Sequence, residues 1–346
     1  MSTCIEPSIS KICIRADANA EIGAGHVMRC LALAHEARKR NLSSVFVGQM
    51  TSQLTARIES DGFEVVRLRY SVSKEDDAKR LLQIAAKESL VVIDHYGLGP
   101  DYQHYFHNGD HRLLVIDDYN HHSFYTADVL LNPNLPAATY RYQTSARLLL
   151  GPRYSMLRPE FQSYARPAAK NRGAIQNILI SMGGSDPKNA TLLVLKALAK
   201  IPKNRWHIKV VLGPLNPWIK SIERFSNQAS LEIDFHSNVT NMTDMYAWAD
   251  ATLTGSGSTI YELAYFRLPS AVFCLADNQR DITAALNRKK MVYVLDVAFS
   301  EMELALRLDR FLTDAEQAKQ LAAAIGTLTD GLGAKRVMDC MVGDRN

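Results

Sequence analysis

Short, continuously apolar segments that alternate with segments of helical period constrain this chain more than any other feature. Most of these segments lack the apolar–polar alternation of a strand with one wet face. Strands that are apolar throughout are typical of a parallel sheet covered by helices on both faces. In the first half of the chain they are KICIRA (11–16), SVFVG (44–48), EVVRLR (64–69), LVVID (90–94), LLVIDD (113–118), VLLN (129–132) and LLLG (148–151).

The second half repeats the pattern, with a proline-containing stretch at 158–173 as the best candidate for a linker. We therefore predict an α/β, GT-B-like protein of two Rossmann-like doubly wound domains, residues 1–165 and 166–346, with a cleft between them. The last ten or so residues are predicted to form a loosely held tail. The predicted strands of the second half are NILISM (177–182), IKVVLG (208–213), LEIDF (231–235), ATLTG (251–255), SAVFCL (270–275) and VYVL (292–295).

Composition narrows the classes of function. The 346 residues suit two domains, and the net charge of +4 is too weak and scattered to indicate a nucleic-acid partner. No apolar stretch approaches the roughly 20 residues of a membrane span, and the N-terminus has no apolar signal core. The five cysteines are odd in number and form no CxxC pair, which is typical of reduced thiols. We expect a cytoplasmic monomer with no membrane span.

Open α/β sheets bind ligands at the carboxyl ends of their strands, so the loop after the first strand is the first candidate site. Its glycines allow backbone amides to approach a ligand, and we predict that Arg15, Asp17 and Gly25 contact the substrate. His26 follows in the first helical turn and is the candidate general base. The alternative is a histidine that caps the helix or packs locally. The GxGH pattern lacks the third glycine of GxGxxG, which disfavours a dinucleotide site.

Two further strands of the first half end in polar residues. Asp94 and Tyr96 suit contacts with sugar hydroxyls or acyl groups, whereas the alternative for Asp94 is ordinary turn chemistry. The pair Asp117–Asp118 ends the next strand, but no nearby ligand spacing supports a metal ion, so none is predicted. The histidines 121–122 that follow are expected to be solvated.

In the second half, two Gly/Ser loops join strands to helices. Such loops offer backbone N–H groups and hydroxyls to a diphosphate without Mg²⁺, although a single loop of this kind is often only a turn. The Walker pattern is absent, which argues against nucleotide triphosphate hydrolysis. A last loop carries Asn278 and Gln279, predicted to reach the substrate. The residues predicted to bind the nucleotide are Gly184, Ser185, Ser258, Thr259 and Glu262.

Five motifs occur in a characteristic order. Together they resemble the UDP-2,4-diacetamido-2,4,6-trideoxy-β-L-altropyranose hydrolases of pseudaminic acid biosynthesis, and more broadly the GT-B glycosyltransferases of the MurG type. The resemblance covers the chain to about residue 300. The motifs are RADANAEIGAGHVMRCLALA (15–34), DHYG (94–97), ISMGGSDPKN (180–189), TGSGSTIYELA (254–264) and LPSAVFCLADNQ (268–279).

The resemblance implies a UDP-sugar hydrolase that needs no metal and no cofactor. Water would attack the anomeric carbon with inversion, and the catalytic His26 would either deprotonate this water or only position it. Tyr96 and Asn278 would contact the substrate, and the nucleotide-binding residues would be those named above. The main alternative is a GT-B glycosyltransferase that uses a UDP-sugar donor. A further alternative is a non-catalytic nucleotide-sugar sensor, in which His26 would be dispensable.

Overall fold

The computed structural model describes residues 9–343 except 19–22, 69–72, 86, 108–110, 169–173, 203–205, 214, 230 and 238. Parts of the predicted first loop, linker and C-terminal tail therefore lie outside the described residues. The chain forms two compact units, one of the residues up to Pro159 together with those from Gly331 onward, the other of Glu160–Asp330. Each unit contains one parallel sheet, which confirms the predicted fold class.

The first unit has a seven-stranded sheet in the order β3-β2-β1-β4-β5-β6-β7. Its strands are β1 (Lys11–Ala16), β2 (Ser43–Gly48), β3 (Glu64–Arg67), β4 (Leu90–Asp94), β5 (Arg112–Ile116), β6 (Val129–Asn132) and β7 (Arg147–Leu150). The helices among them are α1 (Gly25–Arg38), α2 (Ser52–Ser60), α3 (Lys74–Ile84) and α4 (Pro100–His107).

Both faces of this sheet are buried at its centre, as the apolar runs predicted, whereas the edge strands β3 and β7 are more exposed. Ile12 and Ile14 of β1 join the apolar cluster under α1, whereas Cys13 between them joins the cluster on the opposite face. All three are fully buried. A fully buried aliphatic side chain contributes about 1.5–3 kcal/mol, so this double burial holds the strand at the centre of the sheet.

The strand order creates a switch point between β1 and β4. The chain runs outward from β1 to β3 and then returns to the other side of β1, so the loops after β1 and β4 leave the sheet in opposite directions. Ala16 at the end of β1 is in register with Asp94 at the end of β4. The residues that follow these two strands therefore lie next to each other.

The second unit has a six-stranded sheet in the order β10-β9-β8-β11-β12-β13, with its switch point between β8 and β11. The strands are β8 (Asn177–Ser181), β9 (His207–Leu212), β10 (Ile233–Ser237), β11 (Ala251–Gly255), β12 (Ser270–Phe273) and β13 (Tyr293–Leu295). The helices are α5 (Pro159–Ser163), which begins at the division, α6 (Ala190–Leu198), α7 (Ile219–Ser226), α8 (Thr243–Trp248), α9 (Thr259–Phe266), α10 (Arg280–Arg288), α11 (Glu301–Thr313) and α12 (Ala315–Ile325).

The end of the chain differs from the prediction. Residues 331–346 were predicted to belong to the second domain and to end in a loose tail, but α13 (Gly333–Val342) packs on the first unit. Its fully buried Val337 and Met338 join the core under α1. A Cβ atom at Gly333 would lie 2.1 Å from the carbonyl oxygen of Ser155, so the close approach requires glycine. Within the described part of the chain, no helix is long and apolar enough to span a membrane.

Candidate active site

His26 and Asp94 form a buried pair at the switch point of the first unit. His26 lies in the first turn of α1 with 6% of its surface exposed, and its Nδ1 is 2.5 Å from Oδ1 of Asp94. The Asp94 side chain is fully buried. A carboxylate on Nδ1 takes the N–H of that nitrogen and leaves the lone pair on Nε2, which is the form a general base needs. The Asp94 carboxylate is therefore directed at His26, and its predicted contact with a sugar remains a prediction.

Arg29 joins this pair to a second carboxylate. Its Nε and Nη2 donate to the two oxygens of Asp94, each at 2.6 Å, and its Nη1 donates to Oδ1 of Asp118 at 2.7 Å. Burial opposes the charge of Asp94, but Arg29 and His26 outweigh it and hold the pKa of Asp94 well below its usual value. The pKa of Asp118 is lowered against burial chiefly by Arg29. Both carboxylates therefore remain anionic acceptors.

Tyr96 lies beside His26. The two rings meet edge to face with centroids 4.7 Å apart, and the Tyr96 hydroxyl donates to Oδ2 of Asp118 at 2.7 Å. Asn134 donates to the other oxygen of Asp118 at 2.9 Å. The half-buried Tyr96 is thus fixed next to the candidate base. Its predicted contact with a substrate remains a prediction.

Arg15 and Asp17 bond to other side chains of the first unit, and their predicted contacts with a substrate remain predictions. Arg15 is 3% exposed, donates from Nε to Asp77 at 3.0 Å and also pairs with Asp17. Asp17 accepts the Gln49 amide at 2.8 Å and lies 3.0 Å from Nε2 of His95. Burial opposes the charge of Asp17, but His95 and Arg15 lower its pKa below the usual range. These groups brace the loops after β1 and β4.

Asp117 is the centre of a second buried cluster. It accepts the hydroxyls of Tyr125 at 2.8 Å and Tyr142 at 2.7 Å, and its Oδ1 lies 3.0 Å from Nδ1 of His121. The carboxylate is fully buried, and other side chains of the protein supply its hydrogen-bond donors at this strand end. His121, expected to be solvated, is half-buried instead.

In the second unit, the loop after β8 is shaped by glycines. Gly183 has a φ of +85°, and a Cβ atom at Gly213 would lie 2.4 Å and 2.3 Å from the carbonyl oxygens of Gly183 and Gly184. The Asp186 carboxylate accepts the first amides of α6, at 2.8 and 3.0 Å, so this helix start is already capped. Gly184 and Ser185 precede the cap, and their contact with a nucleotide remains a prediction.

The loop after β11 leaves the sheet beside the loop after β8, because Thr254 is in register with Ser181. Ser256 is fully buried, and its hydroxyl lies 2.5 Å from that of Thr283. Gln279, predicted to bind the substrate, accepts the Leu275 amide at 3.0 Å through its side-chain oxygen. The Gln279 side chain therefore supports its own loop.

The other predicted ligand residues of the second unit are more accessible. Ser258 and Asn278 are exposed, and Thr259 is half-buried at the start of α9. Glu262 is half-buried and accepts the Tyr246 hydroxyl at 2.8 Å through one carboxylate oxygen. Gly25 of the first unit is exposed at the first position of α1. The ligand contacts proposed for these residues remain predictions.

Sequence reasoning made no prediction for Arg29 or Asn134, and it singled out Asp118 only as one of a pair of carboxylates at a strand end. Arg29 follows His26 by three positions on α1, a spacing that puts two side chains on one face of a helix, and this was the available signal. The pairing of Arg29 with both carboxylates depends on β4 and β5 being neighbours in the sheet.

No protein-family model matches the chain. An uncharacterized protein of Methanocaldococcus jannaschii is 30% identical over 320 residues, which is 85% of this chain and 63% of that protein. The UDP-2,4-diacetamido-2,4,6-trideoxy-β-L-altropyranose hydrolase of Campylobacter jejuni is 25% identical over 81% of this chain and 97% of its own length. The spore coat polysaccharide biosynthesis protein SpsG of Bacillus subtilis is 24% identical over 94% and 95%. The chain thus spans less than two thirds of the archaeal relative and nearly all of the two bacterial ones.

Solved glycosyltransferase structures share the fold. MurG of Acinetobacter baumannii superposes with a TM-score of 0.66 at 13% identity and covers 96% of this chain and 99% of its own. The spinosyn rhamnosyltransferase SpnG gives a TM-score of 0.65 at 15% identity and covers 96% and 100%. Two parallel-sheet units and these likenesses establish a GT-B fold for the chain.

Proposed function

We propose that the chain is a nucleotide-sugar hydrolase that releases UDP from UDP-2,4-diacetamido-2,4,6-trideoxy-β-L-altropyranose. The observation that carries the proposal is the buried imidazole of His26 with the Asp94 carboxylate on its Nδ1. In the neutral ring, this arrangement places the N–H on Nδ1 and the lone pair on Nε2, and the carboxylate stabilises the imidazolium that forms when the base takes a proton.

In the proposed reaction, Nε2 of His26 takes a proton from water while the water oxygen bonds to the anomeric carbon. The bond from that carbon to the UDP oxygen breaks on the opposite side, so the sugar is released with inverted configuration. UDP leaves as an anion and requires no strong acid. Tyr96 and Asn278 are proposed to hold the sugar, since positioning of the reactants supplies much of the rate of such a step.

The nucleotide is proposed to bind the second unit. The backbone amides of Gly184, Ser185, Ser258 and Thr259 suit the diphosphate, and N–H groups at such turns stabilise negative charge as it grows on the leaving oxygen. Glu262, whose carboxylate accepts the Tyr246 hydroxyl, is proposed to accept ribose hydroxyls as well.

The choice of sugar is supported by the Campylobacter jejuni relative, whose name states this substrate and which the match covers over 97% of its length. A fold alone does not specify a reaction, because one fold carries many chemistries. A GT-B glycosyltransferase with a UDP-sugar donor is therefore the second candidate, favoured by the likeness to MurG. His26 would then deprotonate an acceptor hydroxyl instead of water.

The test is the release of UDP from the diacetamido-altrose nucleotide sugar without an acceptor and with EDTA present. The hydrolase proposal predicts rapid release of UDP and free sugar, with ¹⁸O from labelled water in the sugar and not in UDP. Binding of UDP-sugar without release would reject hydrolysis and favour the transferase. Release that stops on addition of EDTA would reject a reaction without metal.

A further inference from the structure

His121 has both ring nitrogens on hydrogen-bond acceptors. Its Nδ1 lies 3.0 Å from Oδ1 of Asp117, and its Nε2 lies 2.9 Å from the backbone carbonyl oxygen of Tyr96. A neutral imidazole has a single N–H, so each neutral form would direct a lone pair at one of these oxygens. The imidazolium satisfies both acceptors.

We propose that protonated His121 is a positioning residue that ties the loop after β4 to the loop after β5 and thereby keeps Tyr96 beside His26. The expected effect of His121 on hydrolysis rests on the proposed function, in which Tyr96 contacts the sugar and His26 the water.

The groups around His121 favour its charged form. Burial opposes the charge, but the bonds to Asp117 and to the Tyr96 carbonyl raise the pKa of His121 above its ordinary value, and Asp118 adds to this effect. Asp117 is fixed in turn by the hydroxyls of Tyr125 and Tyr142. The carboxylate that His121 contacts is therefore held by a hydroxyl on each of its two oxygens.

Neighbouring rings and cations complete this environment. The Tyr119 ring stacks on His121 with centroids 4.7 Å apart, and the His122 ring lies 3.9 Å away. The pKa of His122 is lowered by burial and by the charge of His121, and Lys74 acts on it in the same direction. His122 is thus the neutral neighbour of a charged ring.

Tyr96 is anchored at two points. Its hydroxyl donates to Asp118 at 2.7 Å, and its carbonyl oxygen accepts the bond from His121. The folded-state pKa of His121 lies above the unfolded value of about 6.5. The stabilisation of the folded state by the hydrogen bonds of charged His121 is therefore fully present below about pH 6.5. It is lost as the pH rises through the folded-state pKa. The charged Asp117 is the stronger acceptor and keeps the remaining proton on Nδ1, so the bond from Nε2 to the Tyr96 carbonyl is the one that is lost.

The first test follows the ring itself in the full-length protein. NMR spectra of protein labelled with ¹⁵N in histidine and with ¹³C at the tyrosine carbonyl report on His121 and on the Tyr96 carbonyl. The His121 signals are assigned by their absence from the His121→Phe spectrum, and the Tyr96 signal by its absence from the Tyr96→Phe spectrum. We expect both His121 nitrogens to be protonated at pH 6.5 and the Tyr96 carbonyl shift to change at the same midpoint. The proposal would be overturned if one His121 nitrogen were unprotonated at pH 6.5, or if the Tyr96 carbonyl shift did not change as His121 titrates. No substrate is present, so this result is independent of the hydrolase proposal.

The second test is the pH profile of UDP release. Above the pH midpoint of the His121 titration, kcat/KM of the wild type is expected to fall about tenfold or more. A loss of this size corresponds to the free energy of one hydrogen bond from a charged donor. His121→Phe keeps the ring stacking without the donors, so it should show the low value at every pH. His122→Phe is the matched control and should keep the wild-type profile. An alkaline fall that persists in His121→Phe would contradict the role of His121, whereas absence of UDP release from the wild type rejects only the hydrolase.

Discussion

Replacing Asp94 by asparagine tests whether this carboxylate orients His26. Asp94 accepts one hydrogen bond from His26 and two from Arg29, and both of its oxygens are used. Asparagine keeps the shape but replaces one acceptor by an NH₂ group. Because Arg29 donates to both positions, the new NH₂ faces a donor in either orientation.

The expected loss has two components. When the NH₂ faces His26, Nδ1 becomes the acceptor and Nε2 carries the proton, so the base is lost and kcat should fall about 10²–10⁴-fold. The buried Arg29 also loses one of its two carboxylates, which costs about 3–5 kcal/mol. For a unit of this size, each kcal/mol lowers the melting temperature by about 2–4 °C, so a fall of about 6–20 °C is expected.

UDP-release kinetics and thermal unfolding measure these two effects, with Asp77→Asn as the matched control. Asp77 is a buried carboxylate of the same unit that pairs with Arg15 and accepts the Tyr102 hydroxyl. Its replacement should lower the melting temperature by a similar amount and leave kcat within a few-fold of the wild type. If the two variants lose kcat equally, Asp94 does not orient the base.

Gly213→Ala would place a Cβ atom within 2.4 Å of two carbonyl oxygens of the loop after β8. The displaced loop should bind UDP about tenfold more weakly by calorimetry, and unchanged affinity would contradict a nucleotide contact there. The pKa values of Asp94 and Asp118 are lowered in the folded state, so these carboxylates stabilise the fold above their unfolded-state pKa of about 3.9. This stabilisation is lost as the pH falls through their folded-state pKa values. Near-ultraviolet circular dichroism should therefore show a shallower acid transition for Asp94→Asn, and an identical transition would count against the ion pair.

The sequence was sufficient for the sheets and for the place of the candidate site. Continuous apolar runs such as LVVID at 90–94 identified buried parallel strands, and the residues after them were expected to gather at one edge. The register of Ala16 with Asp94 places His26 at the switch point of its sheet. The helical spacing of the apolar residues Val337, Met338 and Met341 also indicates helix α13, although this segment was predicted to end in a loose tail.

What the sequence could not supply is the choice of partner for each polar side chain. Arg15, Asp17 and Gln279 follow or end strands as ligand-binding residues do, yet they bond to other protein groups. Arg29 reaches Asp94 and Asp118 across separations of 65 and 89 residues. Such pairs depend on which strands become neighbours, and no local pattern encodes that. The docking of α13 on the first unit depends on long-range contacts in the same way.

UDP release by His26→Ala, measured beside UDP binding, tests whether His26 is the catalytic base. His35→Ala is the matched control, because His35 lies on the same helix and is also paired with a carboxylate, Asp61, at 2.9 Å. We expect His26→Ala to bind UDP normally and to lose at least about 10²-fold in kcat, while His35→Ala keeps wild-type turnover. Near-wild-type turnover in His26→Ala would contradict the assignment of His26 as the base.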